Sequence, residues 1–275
     1  MSQKVYTIKF AGPAGLGIKS VGQLFSKILI AHNFNLSDYS EYPSLVRGGH
    51  NTCQISFSQD KVYAPHYQVD FLFSIIPGHW SQHLNEFSQN TLIFSDEEIS
   101  KKDIKNGIFS FLPLKNLAAK IGNPQVVNTI SLGVASYLLN LDIEITKKIV
   151  SGFYKNFSDL NIQAIQSGYD YAKTNFLKYK LNLTHKLGEK NISFYEGNEA
   201  YSLGFLAGKG NFYCAYPMTP ATSVLHFLAS KQETYPELRV IHAEDEIGVA
   251  NIAVGAAFAG SRAAVGTSGG GFALM

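Results

Sequence analysis

Cysteine is scarce in this 275-residue chain, which contains only Cys53 and Cys214. So few cysteines argue against a disulfide framework and favour the cytoplasm as the compartment. They also cannot ligate a four-iron cluster, which needs four protein ligands, usually thiolates. No apolar run approaches the ~20 residues that span a bilayer, and the charged amino-terminal residues do not resemble a signal peptide. We therefore expect a cytoplasmic protein with no membrane association.

An excess of either charge is also missing. The chain has 23 Lys and Arg against 21 Asp and Glu, so its formal net charge is +2. No basic stretch alternates with aromatic residues, so nothing predicts a nucleic-acid partner. The hydrophobic content of 45% is ordinary for a chain that buries real cores, and the length is typical of two domains.

Strand and helix patterns alternate in both halves of the chain. In the first half we predict strands at 5–10, 52–57, 71–76 and 91–95, and helices at 18–32, 114–121, 126–139, 143–157 and 162–174. In the second half we predict helices at 197–207, 221–231 and 246–259, and strands at 211–216, 239–243 and 262–266. This alternation predicts an α/β fold with mostly parallel sheets covered on both faces.

The polar segment 182–190 lacks periodicity, so we predict a linker there. It separates a first domain at 1–181 from a second domain at 191–275. The chain closes on a glycine-rich loop and a few apolar residues, a combination that usually introduces another element. We therefore expect the second domain to be incomplete at its carboxyl end.

A glycine-rich segment, Gly12-Pro-Ala14-Gly15-Leu-Gly17, joins the first strand to the first helix. Glycines at such a junction let backbone amides approach an anion at the helix N-terminus. Ala14 departs from the usual dinucleotide pattern, and no acidic residue follows at the expected place. A tight turn that packs helix on strand explains the glycines at least as well. Arg47, beside two further glycines, could bind a phosphate or a carboxylate, or merely cap a turn.

Two histidines, His79 and His83, lie four residues apart on a predicted helix. This spacing puts both on one helix face, as in some zinc sites. No third ligand accompanies them locally, and a solvated helix face accounts for the spacing more simply. We therefore predict no metal site on this chain.

The turn Tyr216-Pro217-Met218-Thr219-Pro220 follows directly on a predicted strand. Each proline ring restricts φ and biases its predecessor to extended geometry, so the turn is rigid and not helical. It presents the Thr219 hydroxyl at the carboxyl end of a strand, where ligands of open parallel sheets bind. Capping of the next helix by Thr219 is an equally good interpretation.

An acidic segment, Glu244-Asp245-Glu246, follows the next strand and opens the next helix. Acidic residues in a first helical turn are favourable against the helix dipole, which by itself could explain them. Alternatively, one carboxylate is held near a cofactor nitrogen. The helix behind this segment is rich in glycine and alanine, so it could pack closely at a subunit interface or against its own sheet.

Four segments of the second half resemble the alpha subunit of 2-oxoacid:ferredoxin oxidoreductases in order and spacing. They are GNEA at 197–200, YPMTP at 216–220, AEDE at 243–246 and GTSGGGF at 266–272. This chain has Met218 where the family pattern has isoleucine and Gly270 where it has proline, and both are mild departures.

The first 180 residues resemble the gamma subunit of the same enzymes. The resemblance rests on the glycine-rich segment, the stretch from Tyr42-Pro43 to Arg47-Gly-Gly, and the helices that follow, with Ala14 in place of the family's glycine. A gamma domain ahead of alpha is the 2-oxoglutarate-type arrangement. The implied fold is a gamma-type α/β domain followed by a partial pyrimidine-binding domain of a thiamine-diphosphate enzyme with a parallel sheet.

The resemblance also implies roles for residues of the second half. Glu246 would hydrogen-bond the aminopyrimidine ring of thiamine diphosphate, and Thr219 would donate a hydrogen bond to the substrate. Tyr216 and Pro217 would form a wall of the site. The implied reaction is oxidative decarboxylation of a 2-oxoacid to an acyl-CoA and CO2, with electrons passed to ferredoxin. 2-Oxoglutarate is the favoured substrate, and pyruvate, branched-chain or aryl 2-oxoacids are alternatives.

Several parts of such an enzyme are implied to lie on a separate beta subunit, namely the magnesium ion, the diphosphate site and a 4Fe-4S cluster. Coenzyme A is the implied co-substrate, and Gly12, Gly15, Gly17 and Arg47 are candidates for a phosphate or coenzyme A contact. The implied assembly is a hetero-oligomer with alpha–alpha contacts and with ferredoxin as electron acceptor.

Two hypotheses of other classes stay open. The first is a dinucleotide-binding module, which Ala14 and the missing acidic residue disfavour. The second is a non-catalytic scaffold, which the presence of both Thr219 and Glu246 disfavours.

Overall fold

The computed structural model describes residues 4–42, 48–99, 105–154, 157–183 and 193–275. The chain divides into two compact units, Met1–Phe194 and Tyr195–Met275. Most of the predicted linker at 182–190 lies outside the described residues. The predicted domains at 1–181 and 191–275 therefore stay predictions.

The described part of unit 1 contains six strands in one sheet, in the order β2-β3-β1-β4-β5-β6. The strands are β1 Tyr6–Ala14, β2 Asn35–Glu41, β3 Gly48–Ser58, β4 Val69–Ser74, β5 Phe87–Ser95 and β6 Ile108–Phe111. The helices are α1 Ile18–Ala31, α2 Leu114–Ile121, α3 Val127–Leu138, α4 Ile143–Phe153 and α5 Ser158–Asn175, with a 3-10 helix at His79–Glu86. Strands β1, β4, β5 and β6 run parallel, whereas β3 is antiparallel to both β1 and β2.

The side chains of the central strands alternate between the two faces of this sheet. Phe10, Phe73 and Phe94 stack across neighbouring strands and join the large apolar core beneath the helices. Helix α3 is buried along its whole length. It crosses α5 at Gly133 and Gly168, where an added Cβ would overlap the carbonyl oxygen of the opposite helix. The helices can approach this closely because both positions lack a side chain.

Unit 2 is built on a parallel three-stranded sheet in the order β8-β7-β9, as far as the described residues show. The strands are β7 Phe212–Ala215, β8 Arg239–His242 and β9 Ala263–Gly266, and the helices are α6 Gly197–Ala207, α7 Thr222–Ala229, α8 Glu246–Phe258 and the short α9 Gly271–Leu274. Tyr213 faces α7 and packs with Leu225, whereas Cys214 faces α8 and packs with Val249. The small sheet therefore has a helix on each face.

The predicted α/β class is confirmed, and the structure differs from the prediction in three details. Strands β2 and β6 were not predicted, because they lie at the sheet edges and lack a buried run of apolar residues. The first sheet is mostly parallel, as predicted, with β3 as the one antiparallel strand among the described residues. Its second face is covered in part by the 3-10 helix at His79–Glu86 instead of a regular helix. Gly12 lies inside β1 opposite Asn51, so the predicted loop begins later than expected.

Candidate functional site

Three loops of unit 2 meet at one edge of its sheet. Because β7, β8 and β9 are parallel and in register, Ala215 lies level with His242 on one side and Gly266 on the other. The loop after β7 carries the YPMTP turn, the loop after β8 carries the acidic segment 244–246, and the loop after β9 carries the GTSGGGF segment 266–272. Ligands of open α/β sheets bind at this carboxyl edge, so the topology brings all three predicted motifs to the expected place.

Side-chain hydrogen bonds join the YPMTP turn to two other segments. The Ser268 hydroxyl donates to the Thr219 carbonyl oxygen at 2.6 Å, and the Asn198 amide donates to the Pro220 carbonyl oxygen at 2.9 Å. Neither Ser268 nor Asn198 had been assigned a role from the sequence. Their signal was available, since both lie in segments that carry the family resemblance.

Thr219 is exposed at this edge, beside the partly buried Pro217. Helix α7 has Ala221 at its N-cap and no side-chain cap, so capping by Thr219 is wrong as an explanation of that residue. The ring of Tyr216 is 37% exposed next to it. The hydroxyl and the aromatic ring are therefore both available to a ligand at the strand ends.

Two carboxylates of the acidic segment, those of Asp245 and Glu246, have different surroundings. Asp245 is the N-cap of α8, and its side chain accepts a hydrogen bond from the Gly248 amide at 2.6 Å. Glu246, the next residue, is only 5% exposed. None of the hydrogen bonds or ion pairs among the described residues involves its carboxylate. Helix capping therefore accounts for Asp245 and leaves the burial of Glu246 unexplained.

The Glu246 carboxylate lies against the glycine-rich segment after β9. A Cβ added to Gly271 would lie 2.6 Å from the Glu246 Oε1 atom and would overlap the Thr267 hydroxyl. The Thr267 hydroxyl is itself buried without a hydrogen-bond partner among the described residues. Two unpaired oxygen groups thus lie side by side over a glycine, at the edge where ligands of such sheets bind.

Unit 1 has a cleft at the amino end of α1. Its volume is about 260 Å³, and its lining includes Gly15, Gly17, Ser20, Asn128, Thr129 and Asn161. Gly15 and Gly17 have φ of 93° and 71°, which side-chain-bearing residues rarely adopt. The helix N-terminus carries no side-chain cap. The nearly buried Asn128 donates to the Leu16 carbonyl, and its own Oδ1 has no partner among the described residues.

Of the other two predicted members of this site, Gly12 does not line the cleft. Gly12 pairs within the sheet, and its nearest neighbours are the apolar side chains of Ile18 and Ile75. Arg47 lies outside the described residues. Of the four predicted residues, the structure brings together Gly15 and Gly17.

Comparison with known proteins gives the family. Residues 7–171 match the family described as pyruvate ferredoxin/flavodoxin oxidoreductase, which is more than half of the chain. The chain belongs to this family. Residues 204–275 match its thiamine diphosphate-binding domain. The resemblance read from the sequence motifs is therefore confirmed.

Individual relatives agree with this assignment. The chain is 23% identical to a 2-oxoacid:ferredoxin oxidoreductase alpha subunit from a Sulfolobus species, over 96% of its own length and 50% of that protein. It is 38% identical over 80 residues to a 2-oxoglutarate synthase subunit from Archaeoglobus fulgidus, which is 29% of this chain and 23% of that protein. The chain thus spans about half the length of the Sulfolobus relative that it matches along almost all of its own sequence.

Solved structures show the same fold. A 2-oxoglutarate:ferredoxin oxidoreductase from Magnetococcus marinus, with 2-oxoglutarate, coenzyme A and succinyl-CoA bound, superposes with a TM-score of 0.87 at 24% identity. That match covers 99% of this chain and 49% of the other. An oxoacid:ferredoxin oxidoreductase gamma subunit from Geobacter sulfurreducens has a TM-score of 0.55 at 20% identity, over 63% of this chain and 99% of that subunit. The gamma-type fold is thus confirmed.

A second polar cluster in this family member lies in unit 1, around the 3-10 helix. The His50 Nδ1 and His79 Nδ1 atoms are 2.8 Å apart, and the His50 Nε2 and His83 Nε2 atoms are also 2.8 Å apart. His83 Nδ1 lies 2.9 Å from a Glu86 carboxylate oxygen, and Lys9 forms an ion pair with the other oxygen. We call these five residues the histidine network.

The prediction that His79 and His83 lie on a solvated helix face is wrong, because His83 is 4% exposed and His79 is half-buried. Both nitrogens of His50 face other histidines, so the rings do not converge on one point. No described group of three or more His, Cys, Asp or Glu residues has an arrangement that could hold a metal ion. The sequence spacing missed His50, because that residue joins the cluster from a neighbouring strand.

Burial and neighbouring charge shift the titration of this network. Burial, together with His83 and His79, lowers the pKa of His50 from 6.5 to about 4. Burial alone would raise the pKa of Glu86, but hydrogen bonds from His83 and Lys9 lower it below its ordinary value. The network therefore favours neutral His50 beside the Lys9–Glu86 ion pair.

The outer side of α8 is apolar and uncovered within unit 2. Ile247, Val254 and Phe258 are 57%, 70% and 96% exposed. The inner side packs Val249 and Ala253 on the sheet. Among the described helices, none combines the length and hydrophobicity that a membrane crossing requires.

Proposed function

We propose that this chain is part of a 2-oxoacid:ferredoxin oxidoreductase, in which unit 2 holds the pyrimidine end of thiamine diphosphate. The observation that carries this proposal is the Glu246 side chain, which is only 5% exposed at the carboxyl edge of the sheet and makes no hydrogen bond or ion pair within the described part of the chain. An ionisable side chain that is mostly buried without a protein partner is a candidate for a ligand contact. The thiamine diphosphate-binding match over the same residues supports this assignment.

The donor set of unit 2 fits the aminopyrimidine ring. A carboxylate accepts hydrogen bonds, so Glu246 would accept one from a protonated ring nitrogen of the bound cofactor. Thiamine diphosphate, when bound, supplies the nucleophilic carbon and the electron sink that 2-oxoacid decarboxylation needs.

The YPMTP turn would bind the substrate. Thr219 is exposed beside the strand ends, and its hydroxyl can donate to the carbonyl or carboxylate oxygen of a 2-oxoacid. Tyr216 and Pro217 would form a wall of the site. We favour 2-oxoglutarate because several relatives carry that name, and pyruvate, branched-chain and aryl 2-oxoacids are the alternatives to test.

Unit 1 would contact coenzyme A through the cleft at the amino end of α1. The uncapped amides there, with Gly15, Gly17 and the Ser20 hydroxyl, suit a phosphate group. The unpaired Asn128 Oδ1 suits an amide or hydroxyl donor of the same ligand. Gly12 and Arg47 do not contribute to this argument. The family assignment disfavours a dinucleotide as the ligand.

The remaining parts of the reaction belong to partners. We propose that a beta subunit carries the magnesium ion, the diphosphate site and the 4Fe-4S cluster, and that ferredoxin accepts the electrons. The exposed apolar side of α8 suits an alpha–alpha contact in a hetero-oligomer. The cytoplasm is the compartment that such an assembly would occupy.

The test uses the complete protein co-expressed with its beta subunit and a dye-reduction assay on a panel of 2-oxoacids. We expect Glu246→Gln to lower turnover by about 100-fold or more while the complex still assembles. Thr219→Ala should raise KM for the 2-oxoacid and lower kcat. Near-normal turnover of Glu246→Gln would refute the proposal and leave the scaffold hypothesis as the better one.

A further inference from the structure

We propose that Thr267 is a positioning residue for Glu246, whose hydroxyl donates a hydrogen bond to that carboxylate when thiamine diphosphate is bound. This inference rests on the proposed function of unit 2. It assigns a role to the residue directly after β9, which carries none from the sequence motifs.

The first observation is the state of the Thr267 hydroxyl. It is buried and has no hydrogen-bond partner among the described residues of the chain. Most buried side-chain hydroxyls in folded proteins are paired, because a buried unpaired hydroxyl costs free energy. A hydroxyl left unpaired in this position therefore indicates a bond that forms only in another state of the protein.

The second observation is the neighbour of this hydroxyl. Thr267 and Glu246 both lie directly over Gly271, where an added Cβ would overlap the Thr267 hydroxyl and come within 2.6 Å of the Glu246 Oε1 atom. Glu246 is 5% exposed, and its carboxylate has no hydrogen-bond or ion-pair partner in the described part of the chain. A hydroxyl that can rotate and a carboxylate that needs a donor are chemically complementary.

The third observation is the anchoring of the loop that carries Thr267. The adjacent Ser268 donates to the Thr219 carbonyl oxygen at 2.6 Å, so the loop is attached to the substrate-side turn. Asp245, which precedes Glu246, is held as the N-cap of α8. Both backbones are thus fixed, and a small rotation of the Glu246 side chain would bring one carboxylate oxygen to Thr267 and leave the other for the pyrimidine.

The inference predicts opposite effects of one substitution on two properties. Thr267→Val removes the hydroxyl at nearly constant volume. In the cofactor-free protein the lost hydroxyl had no partner, so the melting temperature should stay the same or rise by about 2–4 °C. In the bound state a charge-assisted hydrogen bond is lost, so the Kd for thiamine diphosphate with magnesium should rise about tenfold.

A third measurement separates positioning from packing. Loss of a donor to the Glu246 carboxylate makes its charged form less favourable, so the acid limb of the kcat/KM profile should move to higher pH. Thr267→Ser keeps the hydroxyl and should restore the affinity and the pH profile. Thr267→Ala is the second hydroxyl-free variant if valine perturbs folding.

The matched control is Ser202→Ala in helix α6. The Ser202 hydroxyl is also buried but donates to the Asn198 carbonyl oxygen at 2.7 Å. Its removal should lower the melting temperature and leave the Kd unchanged. The experiment is carried out on the complete protein with its beta subunit, with calorimetry for the Kd and thermal unfolding without cofactor.

The outcomes separate this inference from the proposed function. If Glu246→Gln is inactive while Thr267→Val keeps the wild-type Kd and pH profile, the role of Thr267 is wrong and the function stands. If Thr267→Val lowers the melting temperature without changing the Kd, Thr267 is a packing residue. If Glu246→Gln behaves as wild type, the proposed function fails first.

Discussion

Two polar clusters, one in each unit, differ in whether their members are paired. In unit 1 every member of the histidine network has a partner. His50 is hydrogen-bonded to His79 and to His83, and His83 contacts Glu86, which forms the ion pair with Lys9. In unit 2 the mostly buried Glu246 side chain and the buried Thr267 hydroxyl lie over the same glycine, and neither has a hydrogen-bond partner in the described part of the chain. A paired cluster explains its own presence by stability, whereas an unpaired one needs a ligand or a rearrangement to explain it.

Helices α3 and α8 also differ in how much apolar surface they leave exposed. Helix α3 of unit 1 is covered on every side by its own unit. Helix α8 of unit 2 is also apolar but leaves Val254 70% and Phe258 96% exposed. Both contrasts indicate that the surroundings of α8 in unit 2 are completed by contacts outside that unit, whereas the histidine network and α3 of unit 1 are complete within theirs. The following predictions test this difference, in order of decreasing expected effect.

The largest expected effect comes from breaking the buried ion pair of unit 1. Lys9→Met leaves the Glu86 carboxylate without its ammonium partner, in a pair whose side chains are 4% and 18% exposed. We expect the free energy of unfolding of unit 1 to fall by about 3 kcal/mol, because an unpaired buried charge is costly. Urea-induced unfolding of the chain measures the change.

The control is Lys4→Met, which breaks the exposed ion pair between Lys4 and Asp70 at 3.0 Å. Exposed pairs contribute about 0–1 kcal/mol, so this variant should be nearly as stable as the parent chain. The double variant Lys9→Met with Glu86→Gln should recover part of the loss. Equal effects of the two lysine substitutions would show that the network is not a stabilising element.

An intermediate effect is expected from pH. The folded-state pKa of His50 is lowered to about 4 from 6.5, so folding favours its neutral form. The contribution of neutral His50 to the free energy of unfolding is fully present above pH 6.5. It is lost as the pH falls toward 4, because His50 takes up a proton in the unfolded chain before it does so in the folded one. The melting temperature of unit 1 should therefore fall steeply across this range.

His50→Gln should flatten this pH dependence. His66→Gln serves as the control, because the contacts that His66 makes with Gln54 and Ser56 use its backbone. A pH slope that His50→Gln leaves unchanged would assign the acid sensitivity to another group.

The smallest effect on the chain itself is expected at the surface of α8. Phe258 is 96% exposed, so Phe258→Lys should change the free energy of unfolding by less than about 0.5 kcal/mol. The same change should weaken the proposed assembly, which light scattering of the complete protein with its beta subunit measures. Tyr63→Lys, at an 87% exposed position of unit 1, should leave assembly intact.

Much of the fold was predictable because the motifs are local. The second half alternates strand and helix with strong apolar periodicity, and each predicted element there is present within a few residues of its predicted bounds. In the first half the edge strands β2 and β6 were missed, since edge strands need no buried apolar run. Gly12 was misplaced because a glycine next to a turn motif can equally continue a strand.

The candidate site was predictable only in part. Thr219 and Glu246 were found because their segments match a family pattern, and the structure puts both at one sheet edge. The unpaired state of Thr267 could not be predicted, since it depends on how the loop after β9 folds over α8. His50 was missed for the same reason, as its partners come from a segment 29 and 33 residues away.

The order of residues alone determined the alternation of strands and helices, the turn around Thr219 and the family. These features depend on local backbone preferences and on the spacing of apolar side chains along the chain. Only the tertiary structure decided which polar groups are paired and which are not. Pairing depends on distances between side chains from different strands and helices, and those distances arise when the elements pack together.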